Sequence, residues 1–257
     1  MVSLNISSEQ EQINHLTDLL ILHSYRYSVL HNPVIEDADY DNLFKKLKTL
    51  EEQYPQYVRK DTPTQRIGSD LGASSDFDRV PHLKPVLSLA NAFENSDLDN
   101  WANRNQKLTT YSMLDQNYIL EPKLDGLTMV VTYRDGQLYT AVTRGDGSEG
   151  DNVTANARTI RNLPLSIPNN MSHGATTVPK LLVVRNEVLF TNDDFKRFNE
   201  AEIAKGSEAY KAARNAASGS LKQKYPTVTG SRPLSFFVYD IMVIDDAIQP
   251  LTHYEAL

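Results

Sequence analysis

The amino-acid sequence predicts an α+β fold in which a small helical domain precedes a larger domain built on antiparallel sheets. Up to about residue 54, apolar side chains recur every three or four positions, which is the period of a helix. From about residue 118 onward, runs rich in valine, threonine and tyrosine are separated by turn signals, which favour strands joined by hairpins. We therefore expect a helical domain with a linker at residues 1–75 and the sheet domain at residues 76–257.

Composition and charge narrow the class of protein. The 257 residues are 40% hydrophobic, which is enough for one or two ordinary cores. The sequence has no cysteine, which excludes disulfides and cysteine-ligated zinc and suits a reducing cytoplasm. It has no signal-peptide pattern and no apolar run of the roughly 18 residues that a membrane helix needs. The net charge of -7 argues against a nucleic-acid-binding protein that acts alone.

Two helices are predicted in the first domain. The first begins at residues 7–11, where serine and glutamate have the spacing of an N-cap, and it ends before an Asn-Pro pair. The second begins near Asp37 and ends at a Tyr-Pro pair. Because a short loop joins these helices, we expect an antiparallel pair. After a polar linker, a third helix is predicted from Asp97 to about residue 108, with Trp101 in the core.

A lysine between two carboxylates marks the second domain. If residues 118–124 form a strand, alternation places Glu121, Lys123 and Asp125 on one face. A lysine on a rigid strand becomes a nucleophile once its amine loses its proton, which burial or a nearby cation promotes and adjacent carboxylates oppose. An ordinary ion pair on a solvated strand face explains the same residues equally well.

The residues after this lysine predict a hairpin and a glycine-rich loop. Residues 127–133 and 138–143 are predicted as strands around an Asp-Gly turn. The following loop begins with Arg144 and leads into a helix that is predicted to end near Arg161. A glycine-rich loop before a helix can approach a phosphate closely, although a plain connector has the same composition.

The remaining sequence predicts two more strands with helices between them. A valine-rich run at residues 181–190 is predicted as a buried strand, on which Arg185 and Glu187 share one face. Glu187 is either a carboxylate of the functional site or the partner of Arg185 in a buried ion pair. Residues 234–244 are predicted as the last strand, and the six histidines of the chain have no metal-ligand spacing.

These motifs follow one another in an order that resembles the adenylation region of bacterial NAD-dependent DNA ligases. The motifs are Lys-Leu-Asp-Gly at 123–126, Thr-Arg-Gly-Asp-Gly at 143–147, Arg-Asn-Glu-Val at 185–188, Arg-Asn-Ala-Ala-Ser-Gly-Ser-Leu at 214–221 and Leu-Ser-Phe-Phe-Val-Tyr at 234–239. The resemblance extends from about Tyr25 to Tyr239. It implies a helical NAD-recognition domain followed by an ATP-grasp-like nucleotidyltransferase domain of the ligase type.

The resemblance implies a reaction at Lys123. The equivalent lysine of the family attacks the adenylyl phosphate of NAD, expels nicotinamide mononucleotide and becomes a phosphoramidate. By the same resemblance, Glu121 would bind the adenine amine, while Asp125 and Arg144 would hold the ribose and position the lysine. Glu187 would contact the ribose or a Mg²⁺ ion. NAD is therefore the expected substrate, with Mg²⁺ as the expected cofactor.

Four residues of the helical domain match family positions that bind nicotinamide mononucleotide. They are Tyr27, Asp37, Tyr40 and Asp41. Aromatic rings can stack on a pyridinium, and carboxylates can compensate its charge or hold ribose hydroxyls. Packing and helix capping account for the same residue types without a ligand.

Further site residues follow from the same resemblance. Ser88 and Leu89 match residues that lie against the adenosine, and Gly126 belongs to the nucleotide-binding motif. Arg214 and Lys222 match basic positions that face nucleic acid or phosphate.

The sequence departs from the family pattern at four positions, where Ser28 replaces histidine, Ala90 aspartate, Asn186 glycine and Lys222 arginine. The Asp-Gly-x-Val-x-Lys motif and the DNA-binding modules do not occur, so we expect an adenylation domain that is incomplete at its C-terminus. The complete enzyme is expected to seal nicks in double-stranded DNA during replication and repair, as a cytoplasmic monomer without membrane contact. Two alternatives stay open: a non-catalytic copy that binds NAD or adenylate, and an ATP-using nucleotidyltransferase.

Overall fold

The computed structural model describes residues 8–28, 32–65, 77–167, 178–245 and 252–256. Its helices are α1 (Glu9–Ser28), α2 (Asp37–Gln53), α3 (Asn95–Gln106), α4 (Thr154–Ala157), α5 (Asn192–Ala204), α6 (Ala213–Leu221), α7 (Pro226–Gly230) and α8 (His253–Ala256). Its strands are β1 (Arg79–Pro81), β2 (Leu127–Arg134), β3 (Gln137–Thr143), β4 (Glu149–Asp151), β5 (Leu181–Leu189) and β6 (Ser235–Asp245). The predicted α+β class is confirmed, with helices first and antiparallel sheets after them.

Helices α1 and α2 pack against each other around a small apolar core. Its buried side chains are Ile13, Leu16, Leu20 and Leu47. These residues belong to the apolar pattern that predicts the helices, so the buried faces are the ones that the periodicity indicates. Helix α2 begins at Asp37 as predicted. The predicted end of α1, beyond Ser28, lies outside the described residues.

A four-stranded antiparallel sheet in the order β3-β2-β5-β6 forms the centre of the larger region. Strands β2 and β3 form the predicted hairpin. Its turn residues Asp135 and Gly136 both have positive φ, at 48° and 73°, a conformation that matches the right-handed twist of the flanking strands. A second sheet pairs β1 with β4.

Side chains cover both faces of the four-stranded sheet. The members of the main core that come from β5 and α6 are Val184, Val188, Ala216, Ala217 and Leu221. On the opposite face, Val86 packs against Val130 and Val183. Because side chains alternate along a strand, Glu187 lies on the Val86 side of the sheet, away from the main core.

Two predictions of secondary structure are wrong. Residues 118–124 lie outside any strand, and β2 begins only at Leu127. No described strand pairs with them, and Leu120 is 96% exposed, so no ladder of hydrogen bonds extends the segment. The helix predicted to reach Arg161 is much shorter: α4 begins only at Thr154, since the residues up to Asp151 pair with β1, and it ends at Ala157, where a turn follows.

Helix α3 lies at the surface and buries none of its residues. Its N-terminus is closed by a capping box between Glu94 and Asp97, close to the predicted start. The prediction that Trp101 belongs to the core is wrong. Its side chain is 40% exposed and packs edge-on against Tyr118, with the ring centroids 5.7 Å apart.

A buried carboxylate joins the helical pair to the sheet. Arg59 binds Asp61 at 2.7 Å and Asp18 of α1 at 2.5 Å. The Asp61 side chain is 3% exposed, and it also accepts a hydrogen bond from the Gln137 amide of β3 at 3.4 Å. Burial alone would raise the pKa of Asp61, but the Arg59 guanidinium and the other donors lower it below its ordinary value.

Candidate active site

Glu187 lies on β5 and anchors the turn that follows Lys123. Its Oε1 accepts a hydrogen bond from the backbone N–H of Gly126 at 3.0 Å, and its Oε2 accepts one from the Thr128 hydroxyl at 3.0 Å. The pairing of β2 with β5 places Thr128 directly opposite Glu187. Burial raises the pKa of the Glu187 carboxyl, although these hydrogen bonds and the positive charge of Lys123 oppose the rise.

Lys123 is exposed, and within the described ranges its ammonium has no hydrogen-bond or ion-pair partner. Two residues later, Asp125 forms a long ion pair with Arg214 of α6, at 3.7 Å. The structure therefore brings Lys123, Asp125 and Glu187 close to the Arg214 guanidinium, which comes from a distant part of the sequence. An accessible amine beside carboxylates and a guanidinium can react with a phosphate whose charge the guanidinium compensates.

Steric crowding against β5 requires glycine at position 126. A Cβ at this position would overlap the carbonyl oxygen of Val188 and would lie 2.8 Å from the Cβ of Leu189. Only glycine lets the backbone after Lys123 come this close to β5. The same close approach allows the Gly126 N–H to reach Glu187.

Arg144 is held through both its backbone and its side chain. Its N–H donates to the carbonyl oxygen of Thr128 on β2 at 3.1 Å. The His82 Nε2 lies 3.1 Å from the Arg144 carbonyl oxygen, so that nitrogen carries the proton that it donates. The Arg144 guanidinium donates to the Ser88 hydroxyl at 3.1 Å. Two predicted site residues, Arg144 and Ser88, are thus in direct contact.

Arg185 ties the segment at residues 84–89 to the sheet. Its guanidinium donates to the Leu87 carbonyl oxygen at 3.2 Å and forms an ion pair with Asp240 of β6 at 2.8 Å. The proposed alternative, in which Arg185 pairs with Glu187, is wrong. The register of β5 with β6 explains why Arg185 pairs with Asp240, because Asp240 lies opposite Arg185 on the neighbouring strand.

Tyr239 is a candidate site residue that the sequence analysis missed. It lies on β6, with the Arg185 guanidinium carbon 5.2 Å from its ring centroid, and it shares a hydrogen bond with Thr128. Burial raises the pKa of its phenol, and the Thr128 hydrogen bond opposes the rise. Alternation along the predicted last strand identifies which residues share a face with Tyr239, but only the pairing of β6 with β5 shows that this face carries Glu187.

Lys222 follows the last residue of α6 and forms an ion pair with Asp151 at 2.6 Å. Asp151 also faces Arg79 at 3.3 Å, and Arg79 reaches Glu149 at 3.1 Å. The hydrogen bond from Lys222 lowers the pKa of Asp151 despite its partial burial. Both predicted phosphate-facing cations, Arg214 and Lys222, therefore have an aspartate partner.

The residues that we expect to face the adenosine are accessible. Ser88 is exposed, and the Leu89 side chain is 70% exposed. Glu121 is 39% exposed, and its Oε2 lies 2.8 Å from the His253 Nε2 of α8. The chain therefore leaves room for a ligand beside these three predicted contacts.

The predicted nicotinamide mononucleotide residues lie in the helical pair. Tyr27 is 58% exposed and Asp41 is exposed, whereas Tyr40 packs against the small core between α1 and α2. The side chain of Asp37 lies outside the described part of the structure. Across the described ranges, neither Tyr27 nor Asp41 has a hydrogen bond or ion pair with the residues around Lys123.

Mg²⁺ prefers oxygen ligands, usually one or two carboxylates together with water and phosphate oxygens. Among the described residues, no group of three or more histidine, aspartate or glutamate side chains could hold a metal ion. The Glu187 oxygens already accept hydrogen bonds from the chain. These residues do not form a metal site by themselves, and a Mg²⁺ ion would need phosphate oxygens as further ligands.

None of the described helices combines the length and the apolar composition that crossing a membrane requires.

Comparison with known proteins gives two family matches in chain order. Residues 6–68 match the DNA ligase-like, N-terminal NAD+-binding domain, and residues 74–257 match the NAD-dependent DNA ligase adenylation domain. The DNA ligase of Chloroflexus aurantiacus is 41% identical over 239 residues, which cover 91% of this chain and 33% of that protein.

Two further relatives give the same result. The DNA ligase of Halothermothrix orenii is 39% identical over 252 residues, which cover 98% of this chain and 35% of the relative. The DNA ligase of Roseiflexus sp. RS-1 is 41% identical over 255 residues, covering 96% and 35% respectively. The chain spans about a third of the length of these curated relatives.

Proposed function

The chain belongs to the family of NAD-dependent DNA ligases, and from this membership we propose that it transfers the adenylyl group of NAD to Lys123. The observation that carries the proposal is the accessible Lys123 amine beside Asp125, in a turn that Glu187 anchors through Gly126. We also propose that the helical NAD-recognition domain ends at about residue 75, where the adenylation domain begins.

In the proposed reaction, the neutral Lys123 amine attacks the adenylyl phosphorus of NAD. The N–P bond forms as the P–O bond to nicotinamide mononucleotide breaks, and the mononucleotide leaves with that electron pair. The attacking nitrogen then loses a proton to solvent, which leaves a phosphoramidate. Phosphoryl-type transfer depends chiefly on positioning and charge compensation, which we assign to Arg144 and Arg214.

We divide substrate recognition between the two domains. The residues proposed for the adenosine side are Ser88, Leu89, Glu121, Asp125, Gly126, Arg144 and Glu187. The residues proposed for nicotinamide mononucleotide are Tyr27, Asp37, Tyr40 and Asp41. Mg²⁺ would accompany the phosphates of NAD, and no step of the proposed reaction is assigned to it.

The adenylated lysine would be the first intermediate in the sealing of DNA nicks. In a complete ligase, the adenylyl group moves to the 5′-phosphate of a nick in double-stranded DNA, after which the 3′-hydroxyl displaces AMP. We propose that this chain supplies the first step of that sequence in DNA replication and repair, as a cytoplasmic monomer. Arg214 and Lys222 would meet phosphates, which must compete with Asp125 and Asp151 for these cations.

A second candidate function is a module that binds NAD or adenylate without the covalent step. Asn186 favours it, because this side chain is fully buried in the sheet where the family has glycine, and its amide atoms have no partner among the described residues. Burial of a polar amide without hydrogen bonds costs free energy in the strand that carries Glu187. An ATP-using nucleotidyltransferase is less well supported, since residues 6–68 match an NAD+-binding domain.

Label transfer tests the proposal. The chain is incubated with NAD or ATP that carries a radioactive adenylyl phosphate, and acid-labile protein-bound label is measured together with released nicotinamide mononucleotide. We expect label from NAD in equal amount to the released mononucleotide. NAD binding by calorimetry without bound label would contradict the proposal and support the binding module. Label from ATP alone would support the ATP-using enzyme.

A further inference from the structure

We propose that His253 is a positioning residue that orients the Glu121 carboxylate, and that it thereby makes the site select adenine by its exocyclic amine. The inference rests on the proposed function, in which Glu121 faces the adenine. It adds a residue from the far end of the described chain to substrate recognition.

The contact joins two residues that are 132 positions apart. His253 Nε2 and Glu121 Oε2 are 2.8 Å apart, and the two side chains are 42% and 39% exposed. An ionised carboxylate only accepts hydrogen bonds, so the imidazole must donate through Nε2–H. The beginning of α8 is fixed locally, because the Glu255 N–H donates to the Thr252 hydroxyl at 3.2 Å and the Thr252 N–H donates to the Glu255 carboxylate at 2.9 Å.

Glu121 needs an external support because the backbone around it is not part of a sheet. The residues from 117 to 125 lie outside every strand, so no ladder fixes the direction of this side chain. A free glutamate samples several rotamers, and ordering them opposes binding. The bond from His253 restricts the carboxylate before a ligand arrives.

The same bond leaves one acceptor available. His253 occupies Oε2, and within the described ranges Glu121 Oε1 has no hydrogen-bond partner. An adenine amine donates hydrogen bonds and can satisfy Oε1. The carbonyl of hypoxanthine is an acceptor and would face a carboxylate oxygen of like polarity. A fixed Glu121 therefore rejects hypoxanthine more strongly than a mobile one does.

Adenylation with NAD and with its hypoxanthine analogue tests the inference. The proteins are the wild type, His253→Ala, His253→Gln, which keeps an N–H donor, and Tyr254→Ala, which changes the exposed neighbouring side chain. We expect His253→Ala to reduce the preference in kcat/KM for NAD over the analogue by about tenfold, mainly by slowing the reaction with NAD. His253→Gln should restore part of that preference, and Tyr254→Ala should leave it unchanged.

Two results would overturn the inference. One is an unchanged preference in His253→Ala. The other is faster adenylation by NAD in His253→Ala, which would show that His253 blocks Glu121 instead of orienting it. If the wild type forms no adduct with NAD, the proposed function fails instead. Calorimetric dissociation constants for NAD and the analogue, measured on the same four proteins, then decide the role of His253 by the same comparison.

Discussion

The Glu187 carboxylate accepts a hydrogen bond from the backbone N–H of Gly126 at 3.0 Å, and this bond connects the central strand β5 to the turn that carries Lys123. It links a buried residue of the central sheet to the exposed Lys123, the proposed nucleophile. The Thr128 hydroxyl, which donates to the second Glu187 oxygen, completes the link through β2. The precision with which Lys123 is placed therefore depends on an ionisable side chain 64 positions later in the sequence.

The burial of Glu187 and its hydrogen bond to Gly126 predict two opposite effects of Glu187→Gln. Relative to wild type, the variant should gain stability toward neutral pH and lose adenylation activity. Burial raises the pKa of Glu187, so the folded chain binds a proton more tightly than the unfolded chain. The contribution of this group to stability is therefore present below the ordinary pKa of 4.5 and declines as the pH rises through the raised value. As the pH rises from 4.5 through the raised pKa of Glu187 toward neutrality, we expect the wild type to lose free energy of unfolding relative to Glu187→Gln.

Urea unfolding at a series of pH values measures this difference, with the exposed Glu200→Gln as the control. Adenylation by Glu187→Gln should fall on the order of a hundredfold at neutral pH. Parallel stability curves for the wild type and Glu187→Gln would contradict the expected effect of burial.

Gly126→Ala should destabilise the chain and abolish adenylation. The new Cβ would overlap the Val188 carbonyl oxygen, and backbone atoms of a central strand cannot move aside cheaply. We expect the free energy of unfolding to fall by about 2–4 kcal/mol. Gly219→Ala on α6 is the matched control, since its Cβ would have only an ordinary contact with Tyr210, at 3.7 Å. That variant should be neutral or more stable by about 0.5–1 kcal/mol. Equal denaturation midpoints for both variants would refute the steric argument.

Asn186→Ala should stabilise the chain. Its side chain is fully buried, and its amide nitrogen and oxygen have no partner within the described residues. Removing an unpaired buried amide should raise the free energy of unfolding by about 1 kcal/mol. The control is Asn156→Ala, because the Asn156 amide nitrogen donates to the carbonyl oxygens of Leu221 and Gln223 at 2.8 and 2.7 Å. That variant should lose about 2–3 kcal/mol. Thermal unfolding that shows similar losses for both would argue against an unpaired Asn186.

Asp61→Asn should weaken the attachment of the helical pair in a pH-dependent way. The pKa of Asp61 is lowered in the folded chain, so its contribution is present above the ordinary value of 3.8 and is lost as the pH falls through the lowered value. At neutral pH we expect a loss of about 1–3 kcal/mol, because the variant replaces the buried Arg59–Asp61 ion pair by a neutral contact, although Asp18 stays as a charged partner of Arg59. The difference from wild type should shrink in acid. A constant difference, or an equal loss in the exposed Asp99→Asn, would contradict this account.

Local sequence signals anticipated the parts of the fold that depend on near neighbours. The Asp135-Gly136 pair predicted the hairpin turn, and apolar periodicity predicted helices beginning at Asp37 and Asp97, within a few positions of the observed starts. The predicted strand at residues 118–124 failed because alternation alone does not create a strand. A strand also needs a partner, and none of the described strands pairs with this segment.

Contacts across long sequence separations could not be predicted from local patterns. The partner of Arg185 is Asp240, not Glu187, because the register of β5 with β6 brings Asp240 opposite it. Tyr239 was missed for the same reason. Lys123, Arg144 and Glu187 are predicted as site residues from the order of motifs that resembles a ligase family. The hydrogen bonds that hold Arg144 and Glu187 were visible only in the structure.

Adenylation of Lys123 can be measured directly as the intact-protein mass after incubation with NAD and Mg²⁺, followed by peptide mapping. We expect that the wild type and the exposed-lysine control Lys107→Ala gain the mass of one adenylyl group, on the peptide that contains Lys123. Lys123→Ala should gain none. An equal gain in Lys123→Ala, or no gain in the wild type under conditions in which it binds NAD, would contradict the assignment of Lys123 as the nucleophile.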